Sequence, residues 1–136
     1  MNKKIYIDKI PALLWGNPSQ KIFIYIHGQG GNKEEAEFFS KLVCKYDWQV
    51  ISIDLPEHGE RTIEKDRFNP WNILPELEML ITFVKDRWNE ISLYANSIGA
   101  YFSMLAYKNE KINSCFFVSP VLDMKQLILD MMSWAN

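Results

Sequence analysis

Three short runs dense in β-branched and aromatic residues alternate along the chain with longer segments whose apolar residues recur at helical spacing. They are Ile22-Phe23-Ile24-Tyr25-Ile26, Val50-Ile51-Ser52-Ile53 and Ile91-Ser92-Leu93-Tyr94-Ala95. Near-continuous apolar strands suit a sheet covered on both faces, since a strand with one wet face alternates with polar residues. Strand, helix, strand, helix, strand is the pattern of a parallel sheet joined by crossover helices. The expected fold class is α/β, a mostly parallel sheet with helices on both faces. Cys115-Phe116-Phe117-Val118 adds a further strand. At the amino end Ile5 and Ile7 alternate with Tyr6 and Asp8, and Ile10 to Trp15 is extended before the turn Gly16-Asn17-Pro18-Ser19. This pair predicts an antiparallel ribbon at the sheet edge.

Asn32 followed by Glu35 has the spacing of a capping box, ahead of a helix with Ala36, Phe39, Leu42, Val43 and Tyr46 on its apolar face. Asp54 to about Asn72 reads as a long polar loop. Pro75 is expected at the first position of the next helix, whose stripe is Leu77, Leu80, Ile81, Val84 and Trp88. Ser97 to about Lys108 reads as a third helix. Met124, Leu127, Ile128, Met131 and Ala135 repeat the same offsets, with Met132 and Trp134 beside them, and predict an amphipathic tail.

The 136 residues accommodate one domain, and 48% apolar with 14% aromatic content implies a packed core. Fifteen Lys+Arg against 17 Asp+Glu leave a net charge of −2, with no basic run to track phosphates, so no nucleic-acid partner is expected. The apolar runs are too short to cross a membrane, and no cleavage site follows Met1-Asn2-Lys3-Lys4, so neither a membrane span nor a signal peptide is expected. Cys44 and Cys115 lack Cys-x-x-Cys spacing, which predicts reduced, buried thiols and a cytoplasmic location. No metal and no cofactor is expected.

Ala95-Asn96-Ser97-Ile98-Gly99 stands where a strand turns directly into a helix. A serine on such a turn takes a tight backbone and points its hydroxyl away from the sheet, and the small Gly99 and Ala100 leave room for the helix start. The N–H of Ile98 then lies at a helix N-terminus, where unpaired donors and the dipole stabilise an oxyanion. Ser97 is a candidate nucleophile on this reading; on the alternative, Asn96 and Ser97 cap the helix. In His27-Gly28-Gln29-Gly30-Gly31 the glycines would let the backbone turn the N–H of Gln29 into the same crevice. An ordinary strand-to-helix turn is the alternative there.

Ile26 to Gly31, Asp54-Leu55-Pro56-Glu57-His58-Gly59 and Ala95 to Gly99 together resemble the three successive signatures of α/β-hydrolase-fold serine hydrolases. These are the oxyanion turn, the Asp-x-Pro-x-His-Gly loop and the nucleophile elbow, in register across about residues 20 to 120. The segment from Ser119 to Met124 is similar to the stretch that leads many members into a cap. The resemblance implies that Ser97 attacks an acyl carbon of a small-molecule ester or related acyl substrate, with Gln29 and Ile98 N–H holding the oxyanion. His27, Gly28, Gly30, Gly31, Asp54, His58, Gly59 and Gly99 are then structural motif residues. Ala95 stands where glycine is usual in the elbow, and Glu60 where a small hydroxyl residue often follows the His-Gly pair.

In this family the acid and the histidine follow the nucleophile in chain order. His27 and His58 both precede it, and the resemblance gives His27 the anchoring of the oxyanion turn and His58 that of its own loop. Asp123 is a candidate acid, or else a cap of the last helix. The expectation is therefore the amino-terminal part of a longer hydrolase, truncated before the last strands and nearly inactive alone. Residues 1–120 would be core and 121–136 the start of a cap or tail helix. A homodimer through the exposed sheet edge or the tail is expected. The competing reading is a non-enzymatic binding protein that uses the apolar tail. A dinucleotide site, suggested by Gly28-Gln29-Gly30 and Asp54, lacks its third glycine, because position 33 is Lys33.

Overall fold

The computed structural model describes residues 2–118 together with Leu129, Met132 and Ser133. β1 (Asn2–Ile7) and β2 (Ile10–Trp15) form the antiparallel ribbon, with Asn2 opposite Trp15 and Ile7 opposite Ile10. β2 joins the sheet by running antiparallel to β4 (Trp48–Ile53). β3 (Lys21–Ile26) lies parallel to β4 on one side and to β5 (Glu90–Asn96) on the other. β6 (Cys115–Val118) pairs parallel to β5, giving the order β1-β2-β4-β3-β5-β6. The chain leaves β3 for β4 on one side and then crosses to β5 on the other. The order thus reverses at β3, and a crevice opens outside the carboxyl ends of β3, β4 and β5.

Alternation along β3 sends Ile22, Ile24 and Ile26 to one face and Phe23 and Tyr25 to the other. On the first face pack α2 (Pro70–Lys85), through Ile73, Leu77, Leu80, Ile81 and Val84, and α3 (Ile98–Tyr107), through Ile98 and Phe102. The second face is covered by α1 (Glu37–Val43) and the 3-10 turn Lys33–Ala36 that precedes it, through Ala36, Phe39 and Val43. The chain is an α/β domain with helices on both faces of a six-stranded, mostly parallel sheet.

Two helix expectations are corrected. α2 begins at Pro70, not Pro75, because Asn69 Oδ1 accepts from the Asn72 N–H and Pro70 supplies the preset φ of a first helical residue. Pro75 falls inside the helix, on its exposed side. In the first helical segment Leu42 is 49% and Tyr46 72% exposed. The buried side is Ala36, Phe39, Ser40 and Val43, offsets 0, 3, 4 and 7, which leave Leu42 off the face. The chain tightens to a second 3-10 turn at Cys44–Tyr46, and the phase shift carries Tyr46 outward.

Cys44 and Cys115 are free thiols, but the expectation that both are buried is corrected: Cys44 is half-buried and Cys115, on the last strand of the sheet order, is exposed. Phe116, Phe117 and Val118 are exposed on β6, the last strand of the order. Among the described residues no helix is long and apolar enough to cross a membrane. Asp123 and the tail residues Met124, Leu127, Ile128, Met131, Trp134 and Ala135 lie outside the described residues.

Candidate active site

The three sequence motifs each begin where a central parallel strand ends: His27 after β3, Asp54 after β4 and Ser97 at the end of β5. Neighbouring parallel strands thereby bring residues up to 70 positions apart to one rim.

Ser97 carries φ 55° and ψ −126°, a conformation that L-residues with a side chain rarely adopt, and it occupies the N-cap position of α3 without making a side-chain cap hydrogen bond. The capping alternative is overturned for Ser97, because its side chain makes no cap hydrogen bond to the helix amides. The bend is held from both sides: Ser97 N–H donates to Val118 O at 2.7 Å, and Ala100 N–H donates to Ser97 O at 3.0 Å. Strain of this kind costs on the order of 1–3 kcal/mol and persists only where surrounding structure enforces it. Asn96 caps nothing either; its Nδ2 donates to Tyr25 Oη at 2.9 Å and Glu35 Oε2 at 2.7 Å.

The elbow and the glycine turn pack backbone to backbone. A Cβ at position 28 would stand 2.9 Å from Ser97 Cβ, and one at position 99 would collide with His27 O. This contact sets the Gly28–Gln29 peptide beside Ser97. Its carbonyl is pinned: Gly28 O accepts from His27 Nδ1 at 2.7 Å and from Gly31 N–H at 3.0 Å. In a trans peptide the N–H points opposite to the C=O, and among the described residues there is no cis bond. Gln29 N–H is therefore directed away from His27, and among the described residues nothing accepts from it. Ile98 is the first residue of α3, where a backbone N–H has no intrahelical acceptor.

Each imidazole is fully engaged. His27 Nε2 accepts from Leu55 N–H at 3.0 Å, so its proton sits on Nδ1, the donor to Gly28 O. His58 Nε2 accepts from Gly30 N–H at 2.9 Å, and its Nδ1–H donates to Pro56 O at 2.9 Å. The rings lie 4.9 Å apart. Burial is the main cause that lowers the His27 pKa, and its neighbour His58 lowers it further. Neither ring has a nitrogen left to take a proton from Ser97.

Asp54 is fully buried and is matched by Lys33, only 2% exposed. Lys33 Nζ also reaches Glu60 Oε2 at 2.7 Å, and Glu60 in turn takes Lys4 at 3.0 Å and the Tyr6 hydroxyl at 3.0 Å. Burial works against the Lys33 charge, but its hydrogen bonds to Asp54 and Glu60 outweigh this and hold the pKa above the usual lysine value. Lys33, Lys4 and Tyr6 hydrogen bonds pull the Glu60 pKa down to about 2. The lysine that breaks a dinucleotide fingerprint is thus the counter-ion of Asp54, whose carboxylate has no exposure left for a ribose. Gly59, at φ 58°, abuts the Asp54 carboxylate so closely that a Cβ there would collide with it.

Sequence reasoning missed Lys33, Glu60, Tyr25 and Glu35 as parts of the site's frame. Asn32 Oδ1 accepts from Glu35 N–H at 3.1 Å, as a capping box requires. The Glu35 carboxylate, however, takes the Tyr25 hydroxyl at 2.8 Å and Asn96 instead of completing the box. Burial, then the Glu35 carboxylate, raises the Tyr25 pKa. One signal was available: a tyrosine within a strand covered on both faces needs a partner for its hydroxyl.

A cavity of about 380 Å³ opens beside Gln29, lined by Glu57, Asp66, Phe68, Asn69, Trp71 and Ser133. A larger one, of about 530 Å³, lies near Trp15, Pro18 and Gln49 at the opposite ends of the strands and contacts none of the motifs.

No family model and no curated protein matches the chain. Solved structures do. A thioesterase domain from the curacin biosynthetic pathway superposes with a TM-score of 0.71 at 18% identity, over 99% of this chain and 53% of that one. A cold-adapted esterase from an Arctic intertidal metagenomic library gives 0.66 at 19% identity, over 85% and 58%. An epoxide hydrolase from Vigna radiata gives 0.70 at 13% identity, over 90% and 40%. The chain spans about half the length of these proteins. With the strand order, the elbow backbone and these superpositions together, the chain has the α/β-hydrolase fold.

Proposed function

We propose that the chain carries the nucleophile and oxyanion half of a serine hydrolase that acts on a carboxylic ester or related acyl compound. One observation carries this reading: a non-glycine residue, Ser97, is held at φ 55° on the strand-to-helix bend with the Gly28–Gln29 peptide packed against it. In the proposed reaction Ser97 Oγ bonds to the acyl carbon, the carbonyl electron pair moves to oxygen between Gln29 and Ile98 N–H, and the hydroxyl proton passes to a base. Collapse of the intermediate expels the alcohol, and water then releases the acid. A preorganised oxyanion donor is worth roughly 10²–10³ in rate. Phe68 and Trp71 in the cavity beside Gln29 offer an apolar wall for the substrate.

Because His27 and His58 are both engaged, the base must be a group other than these two. The chain by itself should react slowly, with only the residual rate that an oxyanion site without its triad retains. A fluorophosphonate probe tests this. The expected result is a single adduct, mapped by mass spectrometry to Ser97, absent in Ser97→Ala and accelerated by added imidazole acting as an external base. No adduct on Ser97 with imidazole present, in a chain folded by circular dichroism, would overturn the reading in favour of a binding role.

A further inference from the structure

His58 belongs to the loop after β4, yet its Nε2 bonds the Gly30 N–H of the turn after β3, across 28 positions of sequence. His27 does the converse, leaving the glycine turn to accept the Leu55 N–H. Two peptide planes flank Gln29. His27 Nδ1–H holds the one before it, through Gly28 O, and His58 holds the one after it, through Gly30 N–H. Gly30 has φ 82° and, its chain neighbours aside, no described atom within 4 Å of where its Cβ would be. The ring of His58 is itself fixed by Pro56 O and by tilted ring contacts with His27 and Phe68, with centroids 4.9 and 4.7 Å away.

We propose that His58 is a positioning residue for the oxyanion amide: by accepting the Gly30 N–H on an unprotonated Nε2, it fixes the peptide after Gln29 and so the direction of the Gln29 N–H. This rests on the functional reading above for its catalytic consequence, but the contact itself does not. The charged groups around the pair are Asp54 and Glu35, which act on His27, and Glu57, which precedes His58 and bonds the Arg67 and Phe68 amides through Oε2. Burial, first among the causes, lowers the His27 pKa beside them.

The test is amide hydrogen exchange at Gly30 and Gln29, read by NMR on the whole chain, with the fluorophosphonate labelling rate of Ser97 in parallel. In His58→Phe, which keeps an aromatic ring between His27 and Phe68, exchange at Gly30 should rise at least about tenfold while β3 amides are unchanged, and labelling should slow by about tenfold or more. His58→Gln offers a carboxamide oxygen to the same N–H. It should restore protection and labelling. Imidazole ¹⁵N shifts should show His58 protonated on Nδ1 only. Equal Gly30 exchange in all three proteins, or a proton on Nε2, would overturn the proposal. Loss of Gly30 protection in His58→Phe without any Ser97 labelling of the parent would leave the contact standing and sink the hydrolase reading instead.

Discussion

Lys33 grips Asp54 at two points, with its backbone N–H donating to Oδ1 and its ammonium to Oδ2, both at 2.8 Å. The pair ties the turn after β3 to the end of β4 beneath the site. Removing one partner of a buried pair strands the other charge, at a cost of about 3–5 kcal/mol. Lys33→Met should therefore destabilise the chain by that amount in urea unfolding. Lys33→Met with Asp54→Asn should recover more than half of it, since no bare charge remains. An additive double variant would show that the ion pair is not what holds these loops.

Ser97→Gly should raise stability by about 1 kcal/mol, because glycine takes φ 55° without strain. The same change should abolish fluorophosphonate labelling. A lower melting temperature for Ser97→Gly would indicate that the bend is unstrained.

Gly28→Ala places a Cβ 2.9 Å from Ser97 Cβ and 3.1 Å from Asn96 O, so either the turn or the elbow must move. Overpacking of this kind costs about 1–3 kcal/mol. Labelling of Ser97 should fall more than tenfold, as the oxyanion amide is displaced by a fraction of an ångström. Labelling equal to the parent would place the Gln29 amide outside the reaction.

Acid should destabilise the chain in two stages. The folded-state pKa of His27 is lowered, chiefly by burial, so the unfolded chain takes up the proton first. Stability is full above about pH 6.5, the ordinary histidine value, and is lost as pH falls from there towards the folded-state value. Glu60 is also lowered, to about 2, so its contribution is present above the ordinary 4.5 and is lost between 4.5 and about 2. Glu60→Gln should shrink the lower stage, leaving the part due to Glu64, whose pKa its hydrogen bond to Arg61 also lowers, and should leave the upper stage unchanged. The check is urea stability measured from pH 8 to pH 2.

Much of this molecule is legible in the chain alone. Strand positions follow from apolar runs, and the α2 face from the offsets of Leu77, Leu80, Ile81 and Val84, all buried as the spacing demands, whereas Trp88, also buried, lies beyond the helix end at Lys85. The serine bend was legible because the switch from strand pattern to helix pattern leaves no linker at Ser97. The start of α2 was readable too, in Asn69-Pro70, but Pro75 competed for the same role. Intrinsic signals of this sort act within a turn or two of helix and are carried by adjacent residues.

What the chain alone left open is which polar groups meet. Gly30 finds His58, Lys33 finds Asp54 and Glu60, and Glu35 finds Tyr25 and Asn96 only because the sheet order places β3 between β4 and β5. Hydrophobic periodicity decides what is buried, since that depends on local alternation. The partner of a buried donor is decided by packing, since hydrogen bonds reach about 3 Å and the residues that satisfy them come from anywhere in the chain.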